Sequence, residues 1–155
     1  MLIHREEILL CAPPERVREF VLTPERIMDY YPQGLDCAVI DPGVRFWCRG
    51  KAGVSLLEKV PDECANSMVV LKVTTARAIA PPFTADKIRR NAFFTMIEDW
   101  EIQPDGTGTR LIKSWRDIQK YQLRWLPLGF IVRRAAKAES AKLKAAWDRA
   151  AGFGK

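Results

Sequence analysis

The stretch RRAAKAESAKLKAAWDRA, residues 133–150, has the composition of a long helix near the end of the chain. We predict this helix from about Leu128 to Ala150, with Gly152 available as its stop. At about 100° per residue, one stripe lies within roughly 60° of Leu128 and contains Val132, Ala135, Leu143, Ala146 and Ala150. Glu139 falls inside the same stripe. The face expected to be buried therefore carries small residues and one carboxylate.

The residues before this helix alternate with a period of two over most of their length, as strands do. Residues 3–12 form the first predicted strand, and two short helical pieces follow, the second capped by Thr23 with Pro24 in its first turn. Six more strands are predicted at residues 35–40, 44–52, 54–60, 67–77, 93–103 and 109–118. Since short turns join most of them, we expect an antiparallel seven-stranded sheet and an α+β fold.

Residues 78–91, AIAPPFTADKIRRN, form the one connection that is too long for a plain hairpin. Loops of this length are often lids or binding loops. Pro81, Pro82 and Phe83 give the segment a stiff, apolar tip. The sequence leaves open whether it is a lid over a pocket or an ordinary connection.

Composition predicts a single cytoplasmic domain spanning residues 1–155. No leader peptide and no apolar run long enough to span a membrane is visible. The four cysteines form no Cys-x-x-Cys pair and His4 is the only histidine, so we expect no metal and no cofactor. The net charge is +6, with basic groups at DKIRRN and RRAAK. No nucleic-acid-binding pattern accompanies them, whereas transient contact with an anionic membrane stays open.

Three pieces of sequence carry a resemblance to a known superfamily. ILLCAPPERVREFVLTPERIMDYYP, residues 8–32, joins a strand to two helices and a proline, and WEIQPDGTGTRLIKSW, residues 100–115, is a hairpin. With the closing helix, they resemble the START-like (SRPBCC) superfamily, in particular its polyketide cyclase/dehydrase and lipid transport branch. The sequence departs from that pattern at Arg18, where the family often has a Trp. The resemblance implies a helix-grip fold, in which a curved sheet wraps around the last helix and an apolar cavity opens between them.

Candidate site residues follow from which strand faces point into that cavity. On residues 93–103 the bulkier and less charged face is assigned inward, and it carries Phe94, Met96, Glu98, Trp100 and Ile102. On residues 67–77 the inward set includes Val73 and leads to Arg77. On residues 109–118, two sets compete: Leu111, Lys113, Trp115 and Asp117 against Ile112, Ser114, Arg116 and Ile118.

A buried carboxylate needs a partner, so one interpretation is that Glu98 and Glu139 form a polar ligand-binding cluster with an arginine, either Arg77 or Arg116. The alternatives are a buried ion pair with no role in binding, or carboxylates near the cavity mouth that reach water. If the second set of residues 109–118 faces inward, Arg116 is the natural partner. The full candidate ligand-binding set is Phe46, Val73, Arg77, Phe94, Met96, Glu98, Trp100, Trp115, Arg116, Val132, Ala135 and Glu139.

Three functions are compatible with these residues. The first is a carrier or sequestering protein for a small hydrophobic ligand such as a lipid, polyketide, isoprenoid or aromatic compound. The second is a cofactor-free polyketide cyclase or dehydratase with Glu98 or Glu139 as acid/base. The third is a protein-interaction module whose cavity is filled by side chains. Either a monomer or a homodimer is compatible with the sequence.

Overall fold

The computed structural model describes residues 1–21, 23, 26–27, 36–50 and 53–150. In these residues seven strands form one curved antiparallel sheet: β1 (Leu2–Leu10), β2 (Asp36–Asp41), β3 (Arg45–Gly50), β4 (Gly53–Lys59), β5 (Met68–Ala76), β6 (Ala92–Asp105) and β7 (Gly108–Lys120). The α-helices that lie wholly within the described ranges are α1 (Pro14–Val21), α2 (Ala85–Arg90) and α3 (Leu128–Ala150). A 3-10 turn spans Pro61–Glu63.

The predicted architecture is confirmed. The seven strands occur in the predicted order along the chain, and the long terminal helix has the predicted bounds. The second short helix after β1 and the stop at Gly152 fall largely on residues outside the described ranges. None of the helices in those ranges is both long and apolar enough to cross a membrane.

Strand order in the sheet is β1-β7-β6-β5-β4-β3-β2, so the first strand closes against the last. The β6–β7 hairpin turns at Gly106, whose φ of 61° favours glycine. Gly108 begins β7 directly beside β1, where a Cβ atom would lie 2.4 Å from the carbonyl oxygen of Leu10. The hairpin sequence PDGTG therefore provides both the turn and the close approach of β1.

The inner face of the sheet packs against α1 and α3. Its core combines strand residues such as Phe46, Leu71 and Trp100 with Phe20 of α1 and Leu143 of α3. These two helices supply apolar side chains at helical spacing, which lets each bury one face. The inner face is thus where the sheet and the terminal helix meet.

The outer face of the sheet is covered by the 78–91 segment. Leu56 alternates with the inward Leu57 along β4, so it points to the opposite side, where it packs with Ile88 of α2. Phe83 lies edge-on to Trp47, with ring centroids 4.9 Å apart. The segment that sequence left open as a lid or a connection therefore packs on the face away from α3.

Candidate functional site

The inward face of β6 is the predicted one. Trp100 and Ile102 lie in the inner core, and Met96 packs against that core. Glu98 lies between Met96 and Trp100 on the same face of the strand and is buried. Phe94 continues the same face and is half-buried. The prediction that places a carboxylate among large apolar side chains on this strand is confirmed.

On β7 the inward set is Leu111, Lys113 and Trp115. The hairpin register pairs Trp100 with Lys113 and Glu98 with Trp115. Residues directly opposite each other in an antiparallel pair share a face, so the inward face of β6 fixes that of β7. A lysine is thereby placed in the interior.

A buried cluster forms where β6, β7 and α3 meet; it consists of Glu98, Trp100, Lys113, Trp115 and Glu139. The Lys113 side chain is fully buried, and its Nζ donates a hydrogen bond of 2.5 Å to Glu139 Oε1. The same Nζ lies 3.9 Å from Glu98 Oε2. Lys113 therefore stands between two buried carboxyl groups.

The two tryptophans of the buried cluster complete its polar contacts. Trp100 Nε1 donates to Glu98 Oε2 at 3.2 Å, and Trp115 Nε1 donates to Glu98 Oε1 at 3.1 Å. Lys113 Nζ lies 3.7 Å from the Trp100 ring centroid and 4.8 Å from that of Trp115. The indoles thus bind the carboxylate through their N–H groups and face the ammonium with their rings.

Burial raises the pKa of Glu139 to about 7, and the Glu98 carboxylate adds to this rise while the Lys113 ammonium opposes it. Removing a carboxylate from water disfavours its charged form, which is why the proton is held more tightly. A carboxyl group with a pKa near 7 can donate or accept a proton near neutral pH.

The expectation that an arginine partners these acids is wrong. Arg116 points to the outer face, where its Nε donates to Asp99 Oδ2 at 2.7 Å, and it also contacts Glu63 and Asp117. The hydrogen bonds to Asp99 raise the pKa of Arg116 above its usual range. Arg116 belongs to this outer network, and Lys113 takes the predicted place beside Glu98 and Glu139.

Arg77 also lies outside the buried cluster. It follows the end of β5 and is exposed, and its guanidinium carbon lies 5.3 Å from the ring centroid of Phe93. Phe93 belongs to the opposite alternation from Glu98 on β6. The predicted approach of Arg77 to the carboxylates therefore does not occur.

The buried stripe of α3 is rotated from the predicted one. Ala135 is exposed, whereas its neighbour Ala136 is 1% exposed. The buried residues of the helix are Leu128, Val132, Ala136, Glu139, Ser140, Leu143 and Trp147. Their centre lies about 60° from Leu128 on the helical wheel, because Leu128 sits at the edge of the stripe.

The remaining predicted residues are buried but dispersed. Phe46 and Val73 belong to the inner core with α1, whereas Val132 packs with Trp115 near the start of α3. The structure thus brings together Glu98, Trp100, Trp115 and Glu139 from the predicted set and adds Lys113.

Side chains fill the centre of the space between the sheet and α3. Trp100, Lys113, Trp115 and Leu143 are each at most 1% exposed. The cavity expected there is therefore absent from this part of the described structure. A cavity of about 210 Å³ opens instead near the C-terminal end of α3, against α1. We call it the α1–α3 cleft.

The α1–α3 cleft has an apolar wall and a polar rim. Among the described residues, its lining is Arg16, Glu19, Phe20, Thr23, Arg26, Ala146 and Trp147. Phe20 and Trp147 are buried, with ring centroids 4.7 Å apart, whereas the arginines and Glu19 reach solvent. Sequence reasoning missed these residues, although the shared apolar face of Phe20 and Val17 on α1 was a signal.

Two polar atoms on the inner face of α3 have no hydrogen-bond partner among the described residues. They are Trp147 Nε1 and Ser140 Oγ, which lies two turns earlier on the same side of the helix, and both atoms are buried. Nearly all buried polar groups are hydrogen-bonded, so an orphaned donor calls for a water molecule or a ligand as partner. The Trp147 side chain therefore lines the cleft and also carries a buried N–H group without a partner among the described residues.

Solved structures share this fold at low sequence identity. The chain is similar to an uncharacterised protein from Rhizobium leguminosarum, with 13% identity and a TM-score of 0.69 over 94% of this chain and 93% of that one. A START superfamily protein from Mycobacterium smegmatis matches with 12% identity and a TM-score of 0.67 over 95% and 97%. Aha1 from Colwellia psychrerythraea, solved as a dimer in solution, matches with 13% identity and a TM-score of 0.61 over 97% and 96%.

The chain therefore has the START-like, helix-grip fold. No protein-family model matches its sequence, and no curated protein matches it significantly. Because one fold hosts many functions, the function has to be argued from the site.

Proposed function

We propose that this protein binds a small hydrophobic or amphipathic ligand in the α1–α3 cleft and acts as its carrier or sequestering protein. Lipid fragments, polyketides, isoprenoids and aromatic compounds are the chemical classes that fit an apolar wall with a polar rim. The observation that carries the proposal is a cavity of about 210 Å³ whose wall includes the side chains of Phe20 and Trp147.

The size and chemistry of the cleft support this proposal. An engineered apolar cavity of about 150 Å³ is large enough to bind benzene, so this one accommodates a small ring system. The rings of Phe20 and Trp147 offer apolar contact, and a turn of the Trp147 ring would bring its unpartnered Nε1 to an acceptor of the ligand. Arg16 and Arg26 at the rim favour an anionic group, with Glu19 as the opposing charge.

The first test is native mass spectrometry of freshly purified protein, in which a carrier shows a co-purifying apolar mass. The second is calorimetric titration with naphthoate, whose ring suits the wall and whose carboxylate suits the rim. Ala146→Phe fills the cleft and is expected to abolish binding, whereas Ala145→Phe on the exposed side of α3 is the matched control.

Trp147→Phe separates the apolar and polar contributions. It keeps a ring at the wall but removes the N–H, so affinity for naphthoate should fall roughly tenfold while affinity for naphthalene changes little. If Ala146→Phe binds naphthoate as well as the wild type does, the ligand does not occupy the cleft. If the protein purifies empty and no lipid, isoprenoid or polyphenol raises its Tm, the carrier function is refuted.

A cofactor-free cyclase or dehydratase is the second candidate. The observation that favours it is the buried Glu139 carboxyl group 2.5 Å from Lys113 Nζ, where burial raises the pKa of Glu139 to about 7. Such a pair suits proton transfer to and from a carbonyl compound. In this case Glu139→Gln should abolish turnover of a linear polyketide thioester and preserve its binding. Equal loss of binding and turnover would indicate a positioning role for Glu139 instead.

A further inference from the structure

In one long segment of the chain, all the charged residues are basic. Residues 118–138 contain five basic residues and no aspartate or glutamate, while the whole chain has a net charge of +6. The five are Lys120, Arg124, Arg133, Arg134 and Lys137. The acids that flank this segment are Asp117, which pairs with Arg116, and Glu139, which is buried. The segment therefore presents positive charge without nearby compensation along the chain.

The same segment exposes large apolar side chains. Trp125 is 78% exposed and Phe130 is 65% exposed. Tyr121, Leu123 and Ile131 are exposed as well. Scattered exposed apolar residues are ordinary, but a cluster of this size within eleven residues marks an interaction surface.

Hydrogen bonds fix the backbone that presents these side chains. The Tyr121 amide donates to the Phe93 carbonyl at 2.9 Å, and the Leu126 amide donates to that of Leu123 at 2.9 Å. Lys120 Nζ donates to the carbonyls of Arg124 and Leu126 at 3.2 and 2.9 Å. Trp125 is thus held outward at the tip of an ordered connection between β7 and α3.

The exposed side of α3 continues this surface. On α3, Arg134 lies one turn after Phe130, and Lys137 lies one turn after Arg133. Basic side chains therefore follow Phe130 along the exposed side of the helix. We define the apolar–basic patch as Leu123, Arg124, Trp125, Phe130, Ile131, Arg134 and Lys137.

We propose that the apolar–basic patch docks this protein transiently on an anionic lipid surface. Trp, Leu, Phe and Ile side chains insert at the boundary between headgroups and acyl chains, while the arginines and the lysine contact anionic headgroups. Each basic residue near such a surface strengthens binding roughly fivefold, and the attraction is screened by salt. The absence of acids from residues 118–138 is the charge complementarity that this docking needs.

Two other occupants fit the patch less well. A second copy of the chain would bury the patch in a dimer, but two such patches would bring like charges together. A nucleic acid would need aromatic residues arranged as a stacking platform along a basic groove, whereas Trp125 lies at the tip of a connection.

The experiment is flotation with phosphatidylcholine vesicles and with equimolar phosphatidylcholine–phosphatidylglycerol vesicles. We expect the wild type to float only with the anionic vesicles and to be released by salt. Trp125→Ala and Arg134→Glu should each weaken binding roughly tenfold. The matched controls are Leu9→Ala, an exposed apolar residue of β1, and Arg90→Glu, an exposed arginine on the outer face; both should bind as the wild type does.

Several results would overturn the proposal. These are failure of the wild type to bind anionic vesicles at low salt, equal binding to neutral vesicles, or unchanged binding by Trp125→Ala and Arg134→Glu. Conversion of a dimer to a monomer by Trp125→Ala would identify the patch as a self-interface and would also overturn it. Because the patch and the α1–α3 cleft share no residue, Trp125→Ala should leave naphthoate binding intact, and either proposal can fail without the other.

Discussion

Lys113 supplies the positive charge that two buried carboxyl groups face, and its removal should be costly. Lys113→Met keeps a side chain of similar length and removes the ammonium that contacts Glu139 at 2.5 Å and Glu98 at 3.9 Å. Breaking a buried ion pair by removing one partner typically costs about 3–5 kcal/mol. Since a domain has only about 5–15 kcal/mol of stability, this loss is a large fraction of the free energy of unfolding.

The cost of Lys113→Met should depend on pH in a direction set by Glu139. The pKa of Glu139 is about 7 in the folded protein, above its ordinary value of 4.5. Between these two pH values the folded state keeps a proton that the unfolded state has lost. Wild-type stability therefore falls as pH rises from about 4.5 to about 7. Lys113 lowers the pKa of Glu139, so without it the Glu139 carboxyl group holds its proton to higher pH still, and the penalty that arises from Glu139 should be small near pH 5 and full near pH 8.

Urea unfolding followed by circular dichroism at about pH 5 and about pH 8 measures both effects. The double variant Lys113→Met/Glu139→Leu removes one carboxylate with the cation and should recover most of the loss. Lys72→Met, at an exposed position on the outer face, is the matched control and should stay within about 0.5 kcal/mol of the wild type. A cost below about 1 kcal/mol for Lys113→Met near pH 8, or the same cost at both pH values, would falsify the reasoning.

Three further variants test other parts of the structure. Glu139→Gln should abolish the fall in stability between about pH 4.5 and 7, and a pH series of urea unfolding curves that still declines there would contradict the origin assigned to it. Gly108→Ala should lower the Tm by several degrees, because its Cβ would lie 2.4 Å from the Leu10 carbonyl oxygen; an unchanged thermal melt would show that β1 can move away. Ile88→Ala should cost about 2–5 kcal/mol in urea unfolding yet leave naphthoate affinity unchanged, because α2 packs on the outer face. Loss of affinity in the folded Ile88→Ala variant would contradict that placement.

The sequence contained the information that places Lys113 in the interior. The turn at Gly106 and Thr107 pairs Asp105 with Gly108, and counting back along both strands pairs Trp100 with Lys113. Once the face of β6 that carries Trp100 is assigned inward, this register leaves no choice for β7. Alternation within β7 alone could not decide, because both of its faces mix apolar and charged residues.

Other features depended on tertiary contacts that local patterns do not contain. Helical periodicity predicted a buried stripe on α3, but its centre is set by Leu143 and Trp147, which anchor the helix against the inner core. The prediction used Leu128, at the edge of that stripe, and so selected Ala135 in place of Ala136. The position of the 78–91 segment also depended on the fold. Its apolar residues had to pack against something, and the structure shows that they pack on the outer face of the sheet.

The buried cluster also limits which ligand the α1–α3 cleft can take. Trp100, Lys113 and Trp115 fill the centre beneath α3, so a ligand that enters beside Trp147 meets packed side chains within the interior. Extra methylene groups beyond the reach of the cleft stay in water and gain none of the roughly 0.8 kcal/mol that each buried CH₂ contributes. Affinity for a series of alkanoates should therefore rise with chain length only until the cleft is filled and then level off. A steady rise through long chains would mean that the central side chains move aside, and the packed interior would then be one of two states of the protein.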